Sequence, residues 1–128
     1  ANNRLLVIDS GLDAIVSIDV NTGNRAIISD SATGAGTGFA TPGDIQIDPD
    51  GTIALVSDSA LAAIFAVDLV TGNRIIISDI NTGNGFDFSF PAGISAVDAP
   101  GRLIVIDSNT DTLYQIEPET GDRVIIGR

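Results

Sequence analysis

The 128-residue chain is predicted to be all-β, with short strands joined by tight turns. Asp supplies 15 of the 17 acidic residues and Gly occupies 14 positions, and both residue types favour turns. Ile, Val and Leu dominate the segments between these turns, and β-branched side chains suit a pleated sheet. No segment shows the sustained apolar period of a helix, so no helix is expected.

The sequence also repeats itself. Segments 5–30, 54–79 and 103–128 align with one another at an interval of 49 residues. An Asp, a Gly and an Arg return at this interval, as Asp9, Asp58 and Asp107, as Gly23, Gly72 and Gly121, and as Arg25, Arg74 and Arg123. Agreement at about a dozen positions predicts copies of one structural unit.

Each repeat divides into short strands. In the first repeat these are 5–9, 14–19 and 24–30, and a further strand, 43–49 or 93–99, precedes each later repeat. A turn that ends in Gly23, Gly72 or Gly121 allows the positive φ that a hairpin needs. A repeated four-stranded antiparallel unit of about 40–50 residues is typical of a β-propeller blade.

The strands carry apolar residues on both faces, as in 5–8, 75–77 and 103–106. A blade buries both faces against its neighbours, whereas a sheet with one wet face alternates apolar and polar residues. Six side chains are therefore expected to be buried between blades: Ile18, Ile28, Val56, Val67, Ile77 and Val105.

The number of blades does not close a ring. Residues 1–35 form a partial blade without its inner strand, and 41–83 and 90–127 form two whole blades, about two and three-quarter blades in all. Known propellers typically contain about four to eight blades. Because the terminal strands are as apolar as the middle ones, the expected partners are further blades of a longer chain or copies of this chain.

Two segments, GDIQIDPDGTIALVSDS and GISAVDAPGRLIVIDS, resemble the repeats of the NHL, SMP-30/gluconolactonase and YVTN propellers. The D-x-x-T-G-x-R-x-x-x-S-D segment resembles tandem repeats of large secreted bacterial propellers, which implies an extracellular or periplasmic location. These propellers include lactonases, lyases, peptide binders and structural modules, so the resemblance implies a fold rather than an activity.

Composition excludes several classes of function. Without Cys the chain has no disulfide or thiolate, and without His it lacks the commonest general base and zinc ligand. A net charge of −11 argues against nucleic acid and anionic lipid as partners. No apolar run approaches the roughly 18 residues of a membrane-spanning helix, so no membrane insertion is expected.

The candidate metal ligands are Asp107, Asn109 and Asp111, which match the first half of a calcium loop. The loop lacks the Gly at its sixth position, and Pro118 stands where the twelfth-position Glu belongs. The alternative is that these Asp side chains accept N–H bonds within the turn, and this interpretation is preferred. No cofactor is therefore expected, and calcium at this loop is the alternative.

The remaining polar and aromatic features have structural interpretations. The glycine-rich segment 34–38 is not followed by a helix or by Gly-Lys-Ser/Thr, so it is expected to be a flexible crossover loop. Each repeated Arg is expected to form an exposed ion pair with a turn carboxylate, worth about 0–1 kcal/mol. Four aromatic side chains are expected to pack between blades: Phe39, Phe86, Phe88 and Phe90.

Three functions remain open. The preferred one is a non-enzymatic scaffold or binding module, and the others are part of a lactonase or lyase propeller and a calcium-stabilised extracellular repeat. The resemblance to gluconolactonases implies a divalent metal held by inner-strand side chains in the central channel. This chain offers too few of them to form such a site alone: Asp44, Gln46, Ser95 and Asp98.

Overall fold

The computed structural model describes residues 3–96 and 101–128, which form three antiparallel sheets. The first sheet contains β1 (Arg4–Asp9), β2 (Ala14–Asp19) and β3 (Arg25–Ser29). The second contains β4 (Pro42–Ile47), β5 (Ile53–Asp58), β6 (Ala63–Asp68) and β7 (Arg74–Ser78). The third contains β8 (Pro91–Ala96), β9 (Leu103–Asp107), β10 (Thr112–Ile116) and β11 (Arg123–Gly127). No helix occurs in the described ranges, so the all-β prediction is confirmed.

The three sheets share one register as well as one strand order. Val7 pairs with Val16 in the first sheet, and the positions 49 residues later, Val56 and Phe65, pair in the second. Each sheet has a register shift at the same place, between its last two strands. The sequence repeat is therefore a repeat of backbone geometry, as expected of successive blades.

Apolar side chains fill the two spaces between the sheets. Val56, Phe65 and Val67 of the second sheet pack toward Ile15 of the first sheet. The opposite face of the second sheet packs toward the third sheet and supplies, among others, Leu55, Ile64 and Ile77. The second sheet is consequently covered on both faces, whereas the first and third sheets are each covered on one face by described residues.

The packing of the three sheets determines which of the six predicted core positions are buried. Burial is confirmed for four of the six positions: Val56, Val67, Ile77 and Val105. It is wrong for Ile18 and Ile28, which are only half-buried. Ile18 pairs with Arg25 and lines the outer face of the first sheet, which no described strand covers. Ile28 packs toward the second sheet but lies on the last strand at the sheet edge.

The uncovered outer faces are apolar. On the first sheet Leu5 is 57 % exposed and Val7 is 38 % exposed, although Val56, the equivalent of Val7, is 0 % exposed in the second sheet. On the third sheet Val124 and Ile126 are 58 % and 49 % exposed. Within the described residues there is no helix that is long and apolar enough to cross a membrane.

Candidate functional site

The most extensive set of polar contacts among the described residues lies where one blade is joined to the next. Residues 30–41 connect the first sheet to the second, and residues 79–90 connect the second to the third. Each of these linkers lies on a turn and a carboxylate of the blade that follows it, and we call this turn and carboxylate a linker cradle. The first cradle consists of Gly72–Arg74 with Asp58, and the second of Gly121–Arg123 with Asp107.

Arg74 is the centre of the first cradle and is only 4 % exposed. Its guanidinium donates hydrogen bonds of 2.7 to 3.2 Å to the Ser29 hydroxyl and to the carbonyls of Asp30, Thr33, Gly36 and Thr37. The guanidinium also lies 5.6 Å from the centre of the Phe39 ring. Charge-assisted hydrogen bonds of this kind satisfy a buried cation and fix the path of the linker.

Arg123 repeats this arrangement in the second cradle. It bonds the Ser78 hydroxyl and the carbonyls of the second linker, and it forms an ion pair of 3.0 Å with Asp87. The predicted exposed pair with a turn carboxylate is therefore wrong for Arg74 and Arg123. Both side chains cross to the preceding blade instead of returning to their own turn. Of the three repeated Arg residues, only Arg25 is exposed.

The linkers approach the cradles at backbone distance. Gly34 has a φ of +84°, and a Cβ built on it would lie 2.0 Å from the carbonyl oxygen of Gly72. Gly72 has a φ of +76°, and its own Cβ would lie 2.2 Å from the carbonyl oxygen of Ile28. The glycine-rich segment is thus packed against the next blade, in contrast to the flexible loop that the sequence suggested.

Replacing Gly72 with Ala is expected to lower the free energy of unfolding by about 2–4 kcal/mol. About 1 kcal/mol comes from the positive φ, and the rest comes from the clash with Ile28. Gly23→Ala is a matched control, because Gly23 has a φ of +74° but nothing within 4 Å of its Cβ position. Urea unfolding should show only the strain of about 1 kcal/mol for Gly23→Ala. Equal losses in the two variants would contradict the tight contact.

The predicted calcium ligands lie at the other end of the second linker. Asp107 is buried, and its two oxygens accept N–H bonds from Ser89 and Phe90 of the linker and from Asn109 and Thr110 of its own turn. The Asn109 amide donates to the Ser89 hydroxyl at 2.7 Å. Asp111, which is exposed, has a φ of 52°. In this arrangement Asp107 joins a linker to a turn, and calcium binding there stays a prediction.

Asp107 also makes stability depend on pH. Burial alone would raise the pKa of this carboxyl, but the N–H groups of Phe90, Ser89 and Thr110 outweigh it and hold the pKa below its ordinary value. This contribution is complete above the unfolded pKa of about 3.9 and is lost as the pH falls through the lower, folded pKa.

We therefore expect the difference in unfolding free energy between the native chain and Asp107→Asn to shrink below about pH 4, because only the native chain loses a charged acceptor there. Urea unfolding at a series of pH values measures this difference. A difference that stays constant down to about pH 2 would contradict the role assigned to the carboxylate.

The inner strands offer little chemistry. Asp44 ties two inner strands together, because its carboxylate accepts the N–H of Ile94 at 2.9 Å and that of Ile45 at 2.9 Å. Gln46 is half-buried and Ser95 is exposed, while Asp98 lies outside the described residues. No cluster of three or more His, Cys, Asp or Glu side chains suited to a metal ion occurs in the described ranges.

A groove of about 910 Å³ lies between the second and third sheets. The described part of its lining is mostly apolar, including Ile53, Leu55, Ile75 and Leu103. Its ionisable residue is Asp48, whose carboxylate already accepts the N–H groups of Thr52 and Ile53 and the Thr52 hydroxyl. The described lining can hold an apolar group but has no pair of groups for acid–base catalysis.

The four phenylalanines have two different environments. Phe39 and Phe88 are buried between blades, and each makes an edge-to-face contact at 5.1 Å, with Phe65 and Tyr114 respectively. Phe86 and Phe90 are 69 % and 46 % exposed, so their predicted burial is wrong. Both lie in the second linker, and the Arg128 guanidinium lies 5.8 Å from the centre of the Phe86 ring.

Together the repeated sheets and the buried linker cradles define a run of β-propeller blades. No family model and no curated protein matches the chain. A chain of a nidogen–laminin complex matches with a TM-score of 0.76 at 19 % identity, over 99 % of this chain and 44 % of that one. An auxiliary nutrient-binding protein from Bacteroides thetaiotaomicron matches with a TM-score of 0.74 at 16 % identity, over 97 % of this chain and 33 % of that one.

A protein described as a 6-phosphogluconolactonase from Bacteroides fragilis matches with a TM-score of 0.58 at 21 % identity, over 97 % of this chain and 35 % of that one. This chain thus spans less than half the length of each of these solved chains. Similarity at such identities confirms the propeller fold. Membership of the NHL, SMP-30 or YVTN families in particular stays a prediction.

Proposed function

We propose that this chain is a non-enzymatic segment of a β-propeller that serves as a scaffold or binding surface and is completed by further blades. The further blades belong to a longer chain or to copies of this one. A location outside the cytoplasm belongs to the same proposal and rests on the resemblance to secreted propellers.

One observation carries this proposal: the outer sheets leave exposed the positions that the middle sheet buries. Leu5 and Val7 on the first sheet and Ile126 on the third are each more than one third exposed. Val56 and Ile77, the middle-sheet equivalents of Val7 and Ile126, are buried. At about 25 cal/mol per Å² of apolar surface, covering a sheet face contributes several kcal/mol before the cost of association.

The arrangement of carboxylates favours a structural role over an enzymatic one. Asp44, Asp58 and Asp107 each use their oxygens to accept backbone N–H groups. A catalytic pair needs at least one carboxylate free to exchange a proton with a substrate. Because their oxygens are engaged in this way, these three carboxylates support an assembly module better than a lactonase or lyase site.

Light scattering or native mass spectrometry at micromolar concentration tests the proposal. The expected mass exceeds the 13.1 kDa of one chain. Leu5→Thr with Ile27→Thr should lower the mass, since both positions lie on the outer face of the first sheet. Val70→Thr is the control, because Val70 is 90 % exposed but lies in a turn. A native chain that is a dispersed monomer would contradict the proposal.

A further inference from the structure

The first sheet carries a third linker cradle. Gly23, Asn24, Arg25 and Asp9 stand 49 residues before Gly72, Asn73, Arg74 and Asp58. Gly23 has the same positive φ as Gly72, +74° against +76°. The turn N–H of Gly23 bonds the carbonyl of Asp19, just as that of Gly72 bonds Asp68. The geometry of the cradle is therefore preformed by its own turn.

Within the described residues nothing occupies this cradle. The Cβ position of Gly23 has no atom within 4 Å, whereas that of Gly72 lies 2.2 Å from the backbone of the preceding blade. Arg25 makes no side-chain hydrogen bond to a described residue, whereas Arg74 bonds five acceptors. Asp9 accepts two N–H groups of its own turn through a single oxygen. The equivalent Asp58 also receives two linker N–H groups.

An apolar surface adjoins the empty cradle. A groove of about 310 Å³ beside Arg25 is lined by Val7, Leu12, Val16 and Ile18. In the second sheet the equivalents of Val7, Val16 and Ile18 form the buried core against which the preceding linker inserts Phe39. The free face therefore combines hydrogen-bond donors for a linker with an apolar surface for the blade that carries it.

We propose that this third cradle binds the linker of a further propeller blade whose outer strand ends in Ser-Asp and continues as x-x-Thr-Gly-x-Gly. Both linkers seated in this chain have that pattern, at 29–36 and 78–85. The Ser hydroxyl accepts from the cradle Arg and donates to the cradle Gly carbonyl at 2.7 Å. The two Gly residues supply the close backbone approach. The inference rests on the proposed assembly function and specifies its partner.

The last blade of a second copy matches this cradle less well than a blade of the Ser-Asp type does. Where the first two repeats have Ser-Asp, the third has Gly127 and Arg128. Gly127 has no hydroxyl to bridge Arg25 and the Gly23 carbonyl. Arg128 would bring a second cation toward Arg25, and like charges at close range are unfavourable. The third cradle therefore selects a blade of the Ser-Asp type over the chain's own last blade.

The test uses an extended chain in which residues 41–98 are repeated ahead of Ala1. In the repeat register this adds one blade, its Ser-Asp linker and an inner strand for the first sheet. Arg25→Ala should reduce the folding equilibrium constant by about 100-fold or more in the extended chain, because its hydrogen bonds then resemble those of Arg74. In the 128-residue chain the same substitution should change it by less than about threefold.

A second extended chain carries Gly and Arg in place of the added copies of Ser78 and Asp79. In that chain we expect Arg25→Ala to have an effect of less than about tenfold, since the hydroxyl is missing and the added Arg repels Arg25. An unchanged effect of about 100-fold would overturn the selectivity for Ser-Asp.

Amide exchange provides a readout that does not depend on a substitution. The Arg74 and Arg123 N–H groups bond linker carbonyls at 2.8 and 2.7 Å, so the Arg25 N–H should become protected only in the extended chain. An Arg25 N–H that stays unprotected would overturn the docking proposal, whether or not the added blade folds. Association of the 128-residue chain is measured separately by its mass, so the two proposals fail independently.

Discussion

Arg74→Ala is expected to reduce the free energy of unfolding by about 3–5 kcal/mol, because it leaves four carbonyls of the first linker and the buried Ser29 hydroxyl without their donor. Arg74 is 4 % exposed, and its guanidinium bonds these four carbonyls and the Ser29 hydroxyl. Arg25→Ala is the matched control in the same repeat position, and its cost should stay within about 0.5 kcal/mol. Urea unfolding followed by circular dichroism measures both variants.

A loss below about 1 kcal/mol for Arg74→Ala would place this Arg among ordinary surface residues and contradict the cradle. Arg74→Lys separates the contribution of the positive charge from that of the guanidinium hydrogen bonds. Lys keeps the charge but not the planar fork of donors, so it should recover less than half of the lost stability.

Phe65→Ala is expected to cost about 3–5 kcal/mol. Phe65 is 0 % exposed and packs edge-to-face on Phe39, so truncation leaves a cavity between the first two sheets. Val56→Ala and Val7→Ala form a matched pair of identical substitutions at equivalent positions. Val56→Ala should cost about 2 kcal/mol and Val7→Ala less than about 1 kcal/mol while its face is uncovered. Equal costs in the dispersed chain would contradict the assigned exposure of the first sheet.

Local chemistry explains why the strands and turns were predictable from the sequence. The apolar runs between Asp- and Gly-rich turns identified all the strands that the structure describes, and the turns at Gly23, Gly72 and Gly121 have the positive φ that was expected. The repeat then placed equivalent strands in equivalent registers. The interpretation of Asp107 as an acceptor of turn N–H groups also matches the observed hydrogen bonds, because those donors lie within three residues.

The linker cradles were not predictable in the same way, because their partners are distant in sequence. Arg74 bonds residues 37 to 45 positions earlier, and nothing in its immediate surroundings indicates this. The signal that existed was the joint recurrence of the Arg with Ser-Asp and Thr-Gly-x-Gly. The exposure of Ile18 has a related cause. Its burial depends on a neighbouring blade and not on its own strand.

The exposure of a strand residue differs between sheets according to whether a neighbouring sheet covers its face. Val56 is buried where the first sheet covers it, whereas its equivalent Val7 is exposed on a face that no described residue covers. The structure thus leaves one apolar face uncovered by described residues on the first sheet and one on the third, and the first-sheet face also carries the third linker cradle and an apolar groove. The third sheet offers an apolar face in which Val124 and Ile126 are the most exposed strand residues of β11.

Amide hydrogen exchange of β2 and β6 compares two strands at equivalent positions, of which β2 lies in a sheet packed on one face and β6 in a sheet packed on both. In the dispersed chain, β6 should exchange only through global unfolding, because its sheet is packed on both faces. The N–H groups of β2 should exchange at least about 10-fold faster, since its sheet is open on one face, and they should slow when further blades cover that face. Equal, slow exchange of both strands in a dispersed monomer would show that the first sheet needs no neighbouring blade.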